Sequence, residues 1–164
     1  MTRPRRPRSA CPISLALEIF GDSWSLLIVR DLMFKGRKTF RELLEAGEGI
    51  ATNVLAERLS RLETHGLLEK ARDPVDARRQ LYRLTPKGMD LAPLLVEMVL
   101  WSAAHLDTDA PPRTVEAMRS DRAAFLDEVR ATWRATTLPG RAEAPARERG
   151  GARRRPASPR RLRG

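Results

Sequence analysis

Cysteine is almost absent. Cys11 is the only one in 164 residues, so no disulfide can close within the chain, and a cytosolic location fits best. Long apolar runs are missing too. None reaches the 18 or so residues of a membrane span. Glu18 and Asp22 interrupt the first apolar segment, so the Arg-rich start is not expected to lead a signal peptide. Histidine is scarce: His65 and His105 stand forty residues apart with no partner at ligand spacing, and no metal is expected. No Gly-rich phosphate loop or Ser-His-Asp arrangement stands out, since the turn Gly47-Glu48-Gly49 is too short and too acidic for phosphate. No cofactor is expected, and an enzyme is the most distant reading. The length suggests one domain with a modest core.

Charge is plentiful but unevenly placed. The net charge is +10, of which residues 1–10 supply +4 and residues 139–164 supply +7. Both ends lack periodic apolar residues and read as disordered basic tails. They flank a near-neutral segment, 11–138, expected to hold the folded domain. Within it, residues 35–87 carry +4 and residues 88–138 carry −3. A basic half joined to an acidic half suits a DNA-reading face beside a separate assembly face.

The apolar periodicity predicts a short helix from Pro12 to Phe20, ended by Gly21. A second, mostly buried helix carries Trp24, Leu27, Ile28 and Leu32 and is capped by Asp22 or Ser23. Thr39 caps a third, Phe40–Leu44. A fourth runs from Ala51 or Thr52 to about His65. Leu67–Arg72 and Gln80–Leu84 then read as strands around the turn Asp73–Ala77. Thr85 and Pro86 open a helix reaching about His105, with a mild kink or late start possible at Pro93. A last helix is expected over Arg113–Trp133. The fold class is therefore mainly α with a small β-hairpin.

Three helices followed by a hairpin is the winged helix-turn-helix order, in which the motif's second helix enters the major groove of double-stranded DNA. That helix is Ala51–His65. Leu55, Leu59 and Leu62 hold one face to the core. The opposite face carries Asn53, Ala56, Glu57 and Ser60, with Thr52, Arg58 and Arg61 at its margins. Asn and Arg suit adenine and guanine edges, and small residues allow close approach. Glu57 repels phosphate, so it either accepts from a cytosine amine or pairs with Arg58 or Arg61. Arg78 and Arg79 at the wing, residues 73–80, suit a narrow minor groove or paired phosphates. Arg37, Lys38, Thr39 and Arg41 stand where the backbone would pass. Each of these patches could also be an ordinary solvated surface.

Several separated stretches resemble one family. They are Cys11-Pro12-Ile13, Gly21-Asp22-Ser23-Trp24-Ser25-Leu26-Leu27-Ile28-Val29-Arg30-Asp31-Leu32, Phe40-Arg41-Glu42-Leu43, and Gly49-Ile50-Ala51-Thr52-Asn53-Val54-Leu55. Gly66-Leu67-Leu68-Glu69-Lys70 and Tyr82-Arg83-Leu84-Thr85-Pro86-Lys87-Gly88 extend the series. In this order they resemble the HxlR-type helix-turn-helix regulators, relatives of the MarR group, over roughly residues 11–105. The resemblance implies a cytoplasmic repressor or activator that binds near-palindromic DNA as a homodimer. It also implies dimerisation through Pro12–Phe20 and Pro86–His105. Ile13, Leu17, Leu94, Leu95, Met98 and Trp101 are the expected interface, and their bulk is more than one small domain easily buries. The helix at 113–133 and the Arg-rich tail have no counterpart in that pattern.

Some relatives carry a cysteine linked to redox sensing where Cys11 stands. A helix N-terminus with Arg8 nearby is a setting for a reactive thiol, although an unreactive thiol near the dimer seam reads as well. A small-molecule or redox effector is a possible partner, and the sequence does not name it. The competing reading is a winged-helix protein-interaction module with only weak, non-specific DNA binding.

Overall fold

The structure is a computed structural model that describes residues 8–136. Apart from residues 8–10, which are exposed, the two basic tails expected at 1–10 and 139–164 lie outside the described residues.

Helix α1 spans Pro12–Phe20, with Pro12 in the first turn where its missing N–H costs nothing. None of its residues is fully buried. The chain turns at Asp22, whose carboxylate accepts from the amides of Trp24 and Ser25 at 2.9 and 3.0 Å. That turn launches α2, Ser25–Phe34, whose Ile28 and Val29 enter the core. Thr39 and Glu42 form a reciprocal capping box at the start of α3, Phe40–Leu44. Helix α4 spans Thr52–Thr64 and buries Leu55, Leu59 and Leu62 at helical spacing. Truncating either fully buried leucine, Leu55 or Leu62, would cost about 2–5 kcal/mol.

Strands β1, Leu68–Arg72, and β2, Gln80–Leu84, pair antiparallel from Leu68 opposite Leu84 to Arg72 opposite Gln80. Thr39 forms a single bridge to Leu81, and the Tyr82 amide donates to the Lys38 carbonyl at 2.6 Å. The start of α3 is thereby stitched to the hairpin.

Two expected helices are each divided. The span 86–105 breaks into α5, Pro86–Met89, and α6, Ala92–His105. Pro93 cannot donate to a carbonyl of the preceding turn, so a new helix starts with proline in its first turn. The span 113–133 breaks into α7, Pro112–Ser120, and α8, Arg122–Ala135. Asp121 leaves the helical region, at φ −143° and ψ 79°, and its carboxylate caps the Ala124 amide at 3.0 Å.

The main core joins α2, α3, α4, the hairpin and the α5–α6 segment. A smaller cluster, Ala92, Val96, Met118 and Leu126, packs α6 against α7 and α8. The two glycines at either end of the hairpin are there for different reasons. Gly66 ends α4 at φ +68° with open space around it, whereas a Cβ on Gly88 would fall 2.0 Å from the Leu67 carbonyl oxygen. We expect Gly88→Ala to cost about 2 kcal/mol or more through this clash. Gly66→Ala should cost about 1 kcal/mol, from backbone strain alone. Urea midpoints of the two variants check the difference.

Candidate nucleic-acid interface

Helix α4 has two sides because its leucines bind one to the core. Thr52, Asn53, Ala56, Glu57 and Ser60 are all exposed on the other. No side chain caps its N-terminus, where Ala51 is the capping residue, so the first amides have no side-chain partner there. The stitched α3 start brings Lys38 and Arg41 to the exposed surface beside the hairpin. Arg41 is extended along α3 toward Glu45 at 2.8 Å. Thr39 is occupied as a cap, its hydroxyl accepting from the Glu42 amide.

Four of the arginines expected at this surface are held by the protein itself. Arg58 turns back to Asp22, at 2.9 Å, and also contacts Glu57. Arg61 donates to the Glu18 carbonyl of α1. Arg37 lies 2.9 Å from Asp31, a buried carboxylate that Arg30 also meets at 2.8 Å. A carboxylate so placed needs such partners, because an uncompensated buried charge is strongly destabilising. Arg79 donates through Nε and a terminal nitrogen to Asp73, at 3.1 and 2.6 Å. The Val75 amide and then Arg79 hold the Asp73 carboxyl below its ordinary range. At the wing tip Arg78 is left 95% exposed, 3.5 Å from Asp76.

The expected residues are thus present on one surface, but several of its arginines are paired with carboxylates of the protein itself. Asp22 was legible as a cap, not as the partner of Arg58. The signal available for Asp31 is its place as the one acid in the apolar stripe of α2, and for Asp73 its place in the turn beside the wing arginines.

A second surface is apolar. Ile13 is 71% exposed, Leu17 51%, Met98 46% and Trp101 59%, with Leu94 also exposed. Leu95 departs from that group. It is buried in the main core, on the side of α6 that faces α2, and is not part of the exposed stripe. Cys11 is exposed at the N-cap of α1. Among the described residues no cluster of His, Cys, Asp or Glu is placed to hold a metal ion. No single helix among them is long and apolar enough to cross a membrane.

Three helices, an antiparallel hairpin and an exposed polar face on the last helix of the triad define a winged helix-turn-helix domain. Residues 19–110 match the HxlR-like helix-turn-helix family, and the chain belongs to it. Similar proteins include sll1512 of Synechocystis, an HTH-type transcriptional regulator, 38% identical over 88 residues. That match covers 54% of this chain and 64%, under two thirds, of sll1512. YodB of Bacillus subtilis, another HTH-type transcriptional regulator, is 36% identical over 93 residues, covering 56% of this chain and 82% of YodB. The reduced form of YodB superposes with a TM-score of 0.50 at 33% identity, covering 59% and 95% of the two chains. The redox regulator HypR in its oxidized form gives 0.51 at 26% identity, covering 60% and 100%. The chain carries the helix-turn-helix DNA-binding domain of this class of transcriptional regulators, a class that is not enzymatic. Helices α7 and α8 begin beyond the matched segment.

Asp22 ties the α1–α2 turn to α4 and makes that junction sensitive to acid. Burial alone would raise its pKa. Hydrogen bonds from the Ser25 hydroxyl, the Trp24 and Ser25 amides and Arg58 outweigh this and hold it at about 2. The folded value lies below the unfolded one, about 3.9. The contribution is therefore present above that value and is lost as pH falls through the folded pKa. We expect Asp22→Asn to lower stability at neutral pH by about 1 kcal/mol, discounted for solvent screening. The gap to wild type should close as pH falls from about 4 toward 2, as urea unfolding at successive pH values would read.

Proposed function

We propose that the protein is a sequence-specific, homodimeric transcriptional regulator that lays α4 in the major groove and sets its wing against the backbone or minor groove. The observation that carries this reading is the exposed face Thr52, Asn53, Ala56, Glu57 and Ser60, opposite a fully anchored leucine face. Asn53 has the paired donor and acceptor that match an adenine edge, and Ala56 leaves room for close approach. Lys38, Arg41 and the α4 N-terminus meet phosphates, and Arg78 is the wing's contact. Arg37, Arg58, Arg61 and Arg79 position these elements through their internal carboxylate and carbonyl partners.

The dimer forms through the exposed apolar residues of α1 and α6, Ile13, Leu17, Leu94, Met98 and Trp101. Their exposure in a single chain supports this, since large apolar side chains left open to water on two helices suit an interaction face. Cys11 borders that seam. Its exposure and the similarity to HypR support oxidation there as an input to dimer geometry.

Selection of bound genomic fragments by the full chain supplies the operator for the test. Asn53→Ala should weaken operator binding about tenfold and relax discrimination at one base pair. Arg78→Ala should weaken binding to all sequences and lower the salt slope by about one. Equal, weak binding to operator and scrambled DNA would overturn the reading in favour of a protein-interaction module.

Sedimentation equilibrium should give twice the 18.5 kDa chain mass. Leu17→Asp should shift it toward the single chain, and a wild-type monomer would refute the dimer.

A further inference from the structure

An open-sided cavity of about 890 Å³ lies between α2, α6, α7, α8 and the loop before α7, with Met98 of the proposed dimer face also in its lining, and its volume is within the size range of small-molecule sites. Its lining includes Met33 and Phe34 from α2, Val99 from α6, Met118 from α7, and Phe125 and Val129 from α8. The Phe34 and Phe125 rings sit 6.3 Å apart at a tilt of 43°. Methionine is adaptable and packs well against aromatic rings, so this lining suits a flat apolar guest.

The rim carries Arg30, Lys35 and Arg37 against Glu48, Asp109 and Glu128. These charges balance, and two of the bases are already engaged: Arg30 with Asp31 and Glu48, and Arg37 with Asp31. Such a rim gives an ion of either sign little net attraction, so selection falls on shape and apolarity. The walls from α7 and α8 come from outside the family-matched segment.

Helix α8 also reaches the wing. The Trp133 indole N–H donates to the Leu84 carbonyl at 2.8 Å, and Arg83 donates to the Trp133 carbonyl at 3.0 Å. The Arg83 guanidinium lies 4.3 Å from the centre of the Trp133 ring. Val129, one turn before Trp133, lines the cavity. A guest that shifts α8 therefore acts on β2.

We propose that this cavity is an effector site for an uncharged, largely aromatic molecule, and that α8 transmits its occupancy to the wing through Trp133. Its consequence for DNA binding rests on the regulator reading, but the following test does not need DNA. The neutral dye N-phenyl-1-naphthylamine should bind the full chain saturably, one per chain. 1-Anilinonaphthalene-8-sulfonate, a similar body bearing a charge, should bind about tenfold more weakly.

Ser102 lines the cavity from α6. Ser102→Phe, with its melting temperature checked, should weaken dye binding about tenfold by filling the space. Thr114→Phe on α7 serves if that variant does not fold. Saturating dye should change amide hydrogen exchange of residues 81–84 about threefold. Trp133→Phe, which keeps a ring but removes the donor, should abolish that change while the dye still binds.

Dye binding that both plugged variants retain, or equal affinity for the sulfonate, would overturn the ligand assignment. Dye binding that vanishes as the chain self-associates would assign the cavity to a second copy and overturn it as well. Unchanged exchange in 81–84 would overturn the coupling. Absence of DNA binding would refute only the regulator reading.

Discussion

The leucine seam of α4 is the constraint on which the other features depend. Leu55, Leu59 and Leu62 press one side of the helix into a core shared with α2, α3 and the hairpin. A helix sealed on one side has no freedom to rotate, so its opposite side is fixed as a surface. At the margins of the seam Asp22 pairs its charge with Arg58, and the Glu18 carbonyl accepts from Arg61. Non-directional burial supplies the stability of this packing, and the polar contacts set its angle.

The basic residues around this surface divide by partner. Arg37, Arg58 and Arg79 meet the carboxylates Asp31, Asp22 and Asp73, and Arg61 meets a backbone carbonyl. Arginine suits such work because its planar fork keeps its charge and satisfies acceptors at fixed angles. Around this surface part of the positive charge is accordingly turned to partners within the protein, while Lys38, Arg41 and Arg78 stay exposed.

Much of the fold was legible where local chemistry decides it. Pro12 and Gly21 bracket α1, Thr39 with Glu42 starts α3, and the alternation in Gln80–Leu84 is strand β2. The divided helices were less legible. Apolar residues continue on a helical period across Pro93 and Asp121, so periodicity masks a break that only the missing N–H and the competing carboxylate reveal. The partner of Arg37 and the long-range partners of Arg58 and Arg61 were not legible, whereas acids beside the wing arginines were visible in the turn itself. Arg58 and Asp22 stand 36 positions apart, and no local pattern distinguishes a guanidinium that reaches across the fold from one that faces water. Leu95 illustrates the same limit, since α6 is apolar on most of its circumference and sequence alone does not choose which leucine turns inward.

The contact between Trp133 and Leu84 has a further consequence, for the entropy of closing the chain. It spans 49 residues of chain, whereas the hairpin closes through neighbours across a short turn. Closing a long loop carries a larger entropic cost than closing a short one. Strand β2 is thus joined over three ranges of sequence: to β1 across a short turn, to Lys38 and Thr39 on its other edge, and to α8 at its end. Of these the α8 contact closes the longest loop, so it carries the largest closure cost of the three and is the one most easily released without undoing the hairpin.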